Sequence, residues 1–167
     1  AKVIVVEKAF LGGTCLNVGC IPSKARIGTA ERLNHAKHAA ALGVKVEGDI
    51  KLDFEATMKR KDKIVQTQRG GVGMLFKKNG IKHVEGFASF VDAHTIEVEK
   101  DGQKQKISAK NFVLAMGSKV VHLPIPGLTG GAENNVWTSD DAVAMSFVPK
   151  KVAILGGGAV GSEFAYI

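Results

Sequence analysis

A glycine-rich stretch near the end of the sequence constrains the fold more strongly than any other feature. Gly156, Gly158 and Gly161 have the spacing G-x-G-x-x-G, directly after the apolar run KVAIL and before the start of a helical pattern. In such a strand–turn–helix unit the first glycine permits a tight turn and the second lets a pyrophosphate approach the backbone. The third allows close helix–strand packing, and the helix N-terminus favours the anion. The spacing therefore favours a dinucleotide-binding unit over a purely structural turn.

The beginning of the sequence has a related pattern. KVIVVE (2–7) is a compact apolar run that ends in an acid, which is typical of a buried strand in a parallel sheet. Glu7 is placed to accept hydrogen bonds from a ribose, although a solvent-facing strand end explains the same residue. No glycine loop precedes this run, and no second strand follows the 156–161 loop. We therefore interpret the sequence as an α/β, Rossmann-like excerpt, truncated at both ends.

Two helices are predicted between these ends. The first runs from about Pro22 to Leu42, because apolar residues recur at helical spacing and Gly43 is a stop signal. Pro22 suits the first turn, where no backbone donor is needed. The second runs from Asp53, as its cap, to residue 78, and three glycines weaken or bend its middle: Gly70, Gly71 and Gly73.

Short β-type segments replace the helical spacing after residue 80. The segments 81–91, 95–100 and 104–109 are joined by turns at 92–94 and 100–102, which predicts a small antiparallel β-meander. NFVLAMGS (111–118) is predicted to be a further buried strand that runs into a glycine turn.

The remaining stretch suggests a domain boundary. A connection rich in proline and glycine at 123–135 leads to a short predicted helix capped by Thr138 or Ser139. The family resemblance given below implies that residues 1–149 form one nucleotide-binding domain without its first strand and glycine loop, and that 150–167 begin a second.

The net charge of +7 raises the question of whether the protein binds nucleic acid. Aromatic residues are only 6% of the chain and no nucleic-acid-binding motif accompanies the charge, so we expect no nucleic-acid partner. A solvated helix face explains the cluster on the second predicted helix better: Lys59, Arg60, Lys61, Lys63, Lys77 and Lys78.

Export and membrane insertion are not indicated. The sequence lacks a run of about 18 apolar residues, and its start does not resemble a signal peptide. Two cysteines in a chain of 167 residues do not make a secreted disulfide framework. In a reducing compartment such a pair is more often catalytic or bound to metal.

The two cysteines lie in GGTCLNVGCIPSK (12–24), and three readings are open. A disulfide requires Cα atoms within about 7 Å, so Cys15 and Cys20 can close only if the four residues between them are irregular. The ring would be small and would add little stability, which counts against a structural staple. A metal site would need two more ligands, and His35 with His38 matches no familiar zinc spacing, so we expect no metal.

A redox role explains more of the stretch. Cys20 lies just before Ile21 and Pro22 at a predicted helix N-terminus, where the helix dipole and free backbone donors favour a thiolate. Lys24 adds positive charge one turn later. An ordinary exposed lysine without a functional role would explain this residue equally.

This stretch resembles the active-disulfide motif of the flavin-dependent pyridine nucleotide–disulfide oxidoreductases. The likeness covers essentially the whole chain, since VVEK, GGVGMLFKKNGI, VEGFASF, VLAMGS, TSDDA and GGGAVGSE follow in the family's order. Within the family the sequence is most similar to the dihydrolipoamide dehydrogenases. Mercuric reductases share the cysteine core, and glutathione reductases usually have a second lysine in place of Ser23.

The resemblance implies a role for each site residue. Cys15 would exchange with the dithiol substrate, Cys20 would lie against the flavin of FAD, and Lys24 would contact the isoalloxazine. The other implied FAD-binding residues are Glu7 at the ribose, Gly12, Gly13 and Thr14 along the phosphates and flavin, Gly86 near the adenine, and Met116, Gly117 and Ser118 closing over the cofactor. Met116 stands where the family usually has threonine. Gly156, Gly158, Gly161 and Glu163 would belong to the NAD site.

The resemblance also implies a function. Electrons would pass from a protein-bound dihydrolipoyl group to the disulfide, then to FAD and NAD+. The implied partners are lipoyl domains of 2-oxoacid dehydrogenase or glycine-cleavage complexes and a second subunit in a homodimer. The implied location is the cytoplasm of a bacterium or the mitochondrial matrix of a eukaryote. We expect residues 1–167 alone to have little or no activity, because the first phosphate loop and the family's His-Glu base are absent. A non-catalytic nucleotide- or metal-binding module is the alternative from another class.

Overall fold

The computed structural model describes residues 2–128 and 131–167, and its contacts divide them into two units. Unit 1 consists of the described residues of Ala1–Gly13 together with Thr67–Ser118. Unit 2 consists of Thr14–Gln66 together with the described residues of Lys119–Ile167. The α/β class is confirmed, whereas the division into 1–149 and 150–167 stays a prediction.

Unit 1 contains a short parallel sheet. Strand β1 (Ile4–Glu7) pairs in parallel with β2 (Lys82–Glu85), in a register that sets Glu7 opposite Glu85. The predicted parallel strand is therefore confirmed, but β1 is only half-buried because within the described residues it has one neighbour.

The predicted meander is confirmed from Phe87 onward, whereas residues 82–85 of its first predicted segment form β2 and pair with β1. Strands β3 (Phe87–Asp92), β4 (Thr95–Lys100) and β5 (Gln103–Ser108) form an antiparallel sheet, and β4 lies in its centre. Ile96 and Val98 of β4 pack with Val84, since alternate residues of a strand face the same side. These three residues, with Val6, Ile107 and Phe112 against them, form the apolar core of unit 1.

Two predicted strands are not formed. Residues 111–118 and 151–155 have no ladder partner among the described residues, and their apolar side chains are exposed except for that of half-buried Phe112. Val113 is 92% exposed and Met116 is 85% exposed. The expectation of a buried strand at 111–118 and of a strand at 151–155 is therefore wrong for this structure, because a strand needs a neighbour to satisfy its backbone groups and cover its faces.

The helices follow the sequence closely. Helix α1 (Gly13–Asn17) is followed by α2 (Cys20–Lys37) and by a 3-10 helix at Ala39–Leu42, which ends at Gly43 with φ 76°. The change to 3-10 geometry at residue 39 divides the single helix that was predicted for 22–42. Helix α3 (Phe54–Lys78) begins where Asp53 Oδ1 accepts the Ala56 N–H at 2.8 Å, and it continues through its three glycines.

Unit 2 also contains two shorter helices in its C-terminal part. Helix α4 (Ser139–Ala144) has Thr138 as its cap, and α5 (Ala159–Tyr166) follows the glycine loop. A 3-10 helix at Ala132–Asn134 precedes them.

The solvated face predicted for α3 is wrong at one residue. The Lys61 side chain is only 8% exposed, and its Nζ pairs with Asp62 at 2.7 Å and donates to the Val143 carbonyl at 3.4 Å. Lys59, in contrast, is an exposed partner of Glu55. A lysine can be buried when its ammonium is paired and hydrogen-bonded, which periodicity alone does not indicate.

Gly86 offers a test of how β2 and β3 are joined. A Cβ at Gly86 would lie 2.6 Å from Val98 Cγ1 and 2.7 Å from the Glu99 carbonyl oxygen, and its φ is +147°. We expect Gly86→Ala to lower the free energy of unfolding by about 3 kcal/mol, through overpacking and backbone strain together. Gly80→Ala, with φ +64° and no neighbour within 4 Å, should cost only about 1 kcal/mol. Urea unfolding of both variants measures the difference, and equal losses would contradict the contact.

Thr138 and Asp141 form a capping box that makes stability depend on pH. Asp141 Oδ2 accepts the Thr138 N–H at 2.8 Å, and this hydrogen bond lowers the pKa of the Asp141 carboxyl below its ordinary value of 3.8. The ionised carboxylate therefore stabilises the fold above about pH 3.8, and this contribution is lost as the pH falls through the lower folded pKa.

We expect Asp141→Asn to cost about 0.5–1 kcal/mol at neutral pH, and this cost should shrink toward zero in acid. Asp140→Asn is the matched control, because Asp140 lies in the same first turn outside the capping box. Unfolding free energies measured between about pH 6 and pH 2 compare the two variants. A cost for Asp141→Asn that stays constant over this range would exclude the mechanism.

Candidate active site

The two cysteines form a disulfide at the junction of α1 and α2. Their Cα atoms are 4.6 Å apart, and both residues are exposed. The chain closes this five-residue separation because α1 ends at Asn17 and α2 begins at Cys20, so that the two residues between them are irregular. The exposed sulfurs can therefore undergo thiol–disulfide exchange with a dithiol that approaches from solvent.

Gly19 makes this close approach possible. A Cβ at Gly19 would lie 3.0 Å from the Cys15 Cα and 3.0 Å from the Thr14 carbonyl oxygen. Its backbone angles, φ −121° and ψ −116°, end one helix and start the next. Only glycine leaves room at this position for the Cys15 Cα and the Thr14 carbonyl oxygen.

The start of α2 carries the remaining features of the motif. Cys20 is its first residue, and buried Ser23 donates its hydroxyl hydrogen to the Gly19 carbonyl at 2.6 Å. The helix N-terminus favours negative charge on Cys20 when the disulfide is opened.

Lys24 lies one turn after Cys20 and pairs with Glu163 of α5. These two residues had been assigned to different cofactors on the sequence, and the structure brings them together within unit 2. The lysine side chain is 58% exposed and the glutamate 29%, so the pair contributes at most about 1 kcal/mol to stability. Its main effect is to place a cation and an anion beside each other.

The backbone of the loop before α5 explains why glycine stands at two of the three positions of the G-x-G-x-x-G spacing. Gly156 has φ +107°, which suits only glycine, and a Cβ at Gly161 would collide with the Gly156 carbonyl oxygen. Gly158 caps α5 with an ordinary φ of −75°, and a Cβ there would meet nothing within 4 Å. The fold therefore requires the first and third glycines, and the second leaves the backbone donors of the helix N-terminus open to an anion.

Unit 1 holds another group of predicted site residues. Glu7 lies at the end of β1, and its Oε1 accepts the Ala9 N–H at 2.8 Å. Gly12 and Gly13 follow with φ of 106° and 68°. Gly86 has a structural explanation of its own, because its N–H donates to the Glu7 carbonyl at 3.0 Å and its Cα lies against β4.

The remaining predicted residues are exposed. Thr14 lies in α1 of unit 2, whereas Met116, Gly117 and Ser118 lie in the extended segment at the end of unit 1. Gly117 has φ +70°, in agreement with the predicted glycine turn.

Sequence reasoning missed two buried cations of unit 2, Arg26 and Lys61. Arg26 of α2 is 5% exposed, and it donates to the Ala142 carbonyl at 2.7 Å and to Met145 Sδ at 3.2 Å. Burial lowers the pKa of Arg26, although a guanidinium keeps its charge at neutral pH. The available signal was the spacing, since Arg26 lies four residues before Ala30 and seven before Leu33 on the predicted apolar face.

The described residues contain no cluster of three or more His, Cys, Asp or Glu that could hold a metal ion. His38 Nδ1 instead lies 2.8 Å from the Asn34 carbonyl oxygen of its own helix. Over residues 2–128 and 131–167, no helix is long and apolar enough to cross a membrane.

The chain belongs to the pyridine nucleotide-disulphide oxidoreductase family, whose pattern matches residues 1–167. A solved structure with a similar fold is the Cu(II) complex of the HOCl-induced flavoprotein disulfide reductase RclA from Escherichia coli. It has a TM-score of 0.81 and 27% sequence identity, and the match covers 98% of this chain and 33% of that one.

Individual relatives share more of the sequence. Dihydrolipoamide dehydrogenase of Chaetomium thermophilum is 41% identical over 99% of this chain, and dihydrolipoyl dehydrogenase of Bacillus subtilis is 40% identical over 97%. The mitochondrial dihydrolipoyl dehydrogenase of Caenorhabditis elegans is 41% identical over 99%. The chain spans about a third of the length of these three relatives, 33% in each case.

Gly19 provides a direct test of the disulfide geometry. We expect Gly19→Ala to lower the free energy of unfolding by about 1–3 kcal/mol, because the atoms that its Cβ would meet are backbone and cannot move aside cheaply. Fewer molecules should also form the disulfide, which a thiol titration of the unfolded protein counts.

Gly28→Ala is the control for this test. It lies inside α2, and its Cβ would meet only the flexible Arg32 side chain, at 3.3 Å. Alanine should stabilise the helix there by up to about 1 kcal/mol and leave the thiol count unchanged. If Gly19→Ala matched this control in both measurements, the close approach would not limit the disulfide.

Proposed function

We propose that this chain is the disulfide-bearing part of an FAD-dependent dihydrolipoyl dehydrogenase, which oxidises protein-bound dihydrolipoyl groups and reduces NAD+. The observation that carries the proposal is the exposed Cys15–Cys20 disulfide at the start of α2, with Lys24 one turn later. The names of relatives about 40% identical over nearly the whole chain support it.

The disulfide accepts two electrons by exchange. A thiolate of the dihydrolipoyl group attacks Cys15 Sγ, the Cys15–Cys20 bond breaks, and Cys20 leaves as a thiolate at the N-terminus of α2. The second substrate thiol then attacks the mixed disulfide and releases Cys15, which leaves lipoyl disulfide as the product. The two thiol protons pass to a base or to solvent.

Several of the assigned glycines leave open space beside the backbone, which is what the close approach of a dinucleotide needs. Gly158 leaves the N-terminus of α5 open, and neither Gly13 nor Gly117 has an atom within 4 Å of its Cβ position. We assign the FAD phosphates, ribose and flavin to Glu7, Gly12, Gly13, Thr14, Lys24, Gly86, Met116, Gly117 and Ser118. We assign NAD to Gly156, Gly158, Gly161 and Glu163. Bound FAD would supply transfer of an electron pair between the dithiol and the nicotinamide.

The division of the chain belongs to the same proposal. Residues 1–149 would be part of the FAD-binding domain, and residues 150–167 would begin the NAD-binding domain. The glycine loop at 156–161 supports this placement, because it opens helix α5 as the glycine loop of a dinucleotide-binding unit opens its helix.

The proposal extends to partners and location. The substrate would be a lipoyl domain of a 2-oxoacid dehydrogenase or glycine-cleavage complex, and the active protein would be a homodimer. Its location would be the bacterial cytoplasm or the mitochondrial matrix. The names of the relatives support the dihydrolipoyl substrate, and that of the Caenorhabditis elegans relative supports a mitochondrial location.

Ser23 favours a dihydrolipoyl substrate over glutathione. Glutathione reductases usually have a lysine at this position, whereas here Ser23 is 5% exposed and bonded to the Gly19 carbonyl. A lysine would have to place its ammonium in this buried contact, which is costly without a counter-charge.

The activity test uses the whole protein that carries this chain, reconstituted with FAD. We expect NAD+ reduction with dihydrolipoamide, and a loss of about 10³-fold or more in kcat in Cys15→Ser and in Cys20→Ser, because either change removes the exchanging disulfide. The absorbance of NADH at about 340 nm measures the rate.

Parallel assays with Hg(II) and with oxidised glutathione separate the related activities. Faster turnover of either one than of the lipoyl couple would replace the proposed substrate. Cysteine variants that kept full activity would overturn the redox role itself. Two-electron reduction supplies a further readout, since wild type but not Cys20→Ser should show the long-wavelength absorbance of a thiolate beside flavin.

A further inference from the structure

The buried residues of α2 are concentrated just after the disulfide. Of its 18 residues, those that are buried are Pro22, Ser23, Ala25 and Arg26, whereas the helix from Ile27 onward is exposed or half-buried. The helix is thus anchored in its first two turns, next to Cys20.

Two arginines connect these turns to neighbouring helices by hydrogen bonds. Arg26 reaches out to α4, where it donates to the Ala142 carbonyl at 2.7 Å and to Met145 Sδ at 3.2 Å. Arg60 reaches in from α3 and donates to the Ala25 carbonyl at 2.9 Å. All these residues belong to unit 2.

The contacts of Arg26 are stronger than ordinary surface hydrogen bonds, whereas the bond from Arg60 is made by an exposed residue. Arg26 is almost fully buried, so solvent does not screen its guanidinium, and charged donors bind carbonyls more strongly than neutral ones. The Ala142 carbonyl lies near the C-terminus of α4, where the helix dipole also favours a cation. Adjacent Lys61 donates to the next carbonyl, that of Val143, in the same way.

We propose that Arg26 and Arg60 form a clamp that positions Cys20 against Cys15 and so sets the reduction potential of the pair. The inference rests on the proposed function in taking this disulfide as the redox-active one. Cys20 lies six residues before Arg26 on one rigid helix, so a fixed second turn also fixes the first. When the disulfide is opened, the clamp keeps the two thiols close together, which gives them a high effective concentration for closing again.

Equilibration of the whole protein with mixtures of reduced and oxidised glutathione tests the clamp. Reduction breaks the Cys15–Cys20 bond and forms one glutathione disulfide, with two electrons and two protons passing from two glutathiones to the protein. Alkylation followed by mass spectrometry of the peptide that carries both cysteines gives the reduced fraction, with no need for turnover of dihydrolipoamide or NAD+.

We expect Arg26→Met to lower the equilibrium constant for disulfide closure about tenfold, which is about 30 mV toward easier reduction for a two-electron couple. Arg26→Lys keeps a charged donor and should restore most of the loss. Arg60→Met should shift the equilibrium in the same direction, and it tests the clamp even if Arg26→Met does not fold. Arg32→Met is the control, since exposed Arg32 donates to the Gly28 carbonyl of its own helix.

A purely structural role would lower the melting temperature of the oxidised and reduced proteins equally and leave the closure constant unchanged. That result in folded Arg26→Met and Arg60→Met would overturn the proposal, as would an equal shift in Arg32→Met. A shifted closure constant in a protein that does not oxidise dihydrolipoamide would uphold the clamp and reject the proposed substrate. The two proposals can therefore fail separately.

Discussion

The close approach of Gly19 to the backbone of Cys15 is the constraint on which the site depends. Because no side chain separates them, the chain can end α1 and begin α2 within two residues, and the Cys15–Cys20 bond can close across the turn. The same turn makes Cys20 the first residue of α2, where unpaired N–H groups and the helix dipole favour a thiolate. The position of Lys24 one turn later also follows from this start. A single missing Cβ thus determines where sulfur, helix dipole and lysine charge meet.

Local signals predicted much of the fold. Asp53, Gly43 and Thr138 end or begin their helices as expected, because a cap or a left-handed residue acts through its immediate neighbours. The meander was also predictable, since apolar and polar residues alternate along β4 and short turns join the three strands. The segments 111–118 and 151–155 were not, because whether an apolar run becomes a strand depends on a neighbouring strand that its own sequence does not describe.

At the site, too, features set by neighbouring residues could be predicted, whereas contacts between residues far apart in the sequence could not. From the residues alone three readings of Cys15 and Cys20 stayed open, and the disulfide and the role of Lys24 were implied by the family resemblance of residues 12–24. Glu163, the partner of Lys24, lies 139 residues away, and the partner carbonyl of Arg26 lies 116 residues away. No spacing rule connects residues so far apart, so the burial of Arg26 was hidden in an ordinary helical pattern. The buried cations of α2 and α3 became apparent only when α4 was in place beside them.

The unpaired segment near the end of unit 1 has a consequence for how this polypeptide behaves in solution. Among the described residues β5 is an outer strand of its sheet and carries Lys104 and Lys106, and charged residues on an outer strand discourage edge-to-edge association. Residues 113–118 (VLAMGS) carry no charge and no proline, and their backbone groups have no ladder partner within the described residues. That stretch is a template for pairing between molecules. The net charge of +7 is carried entirely by residues outside these six, so no charge within the stretch opposes such pairing.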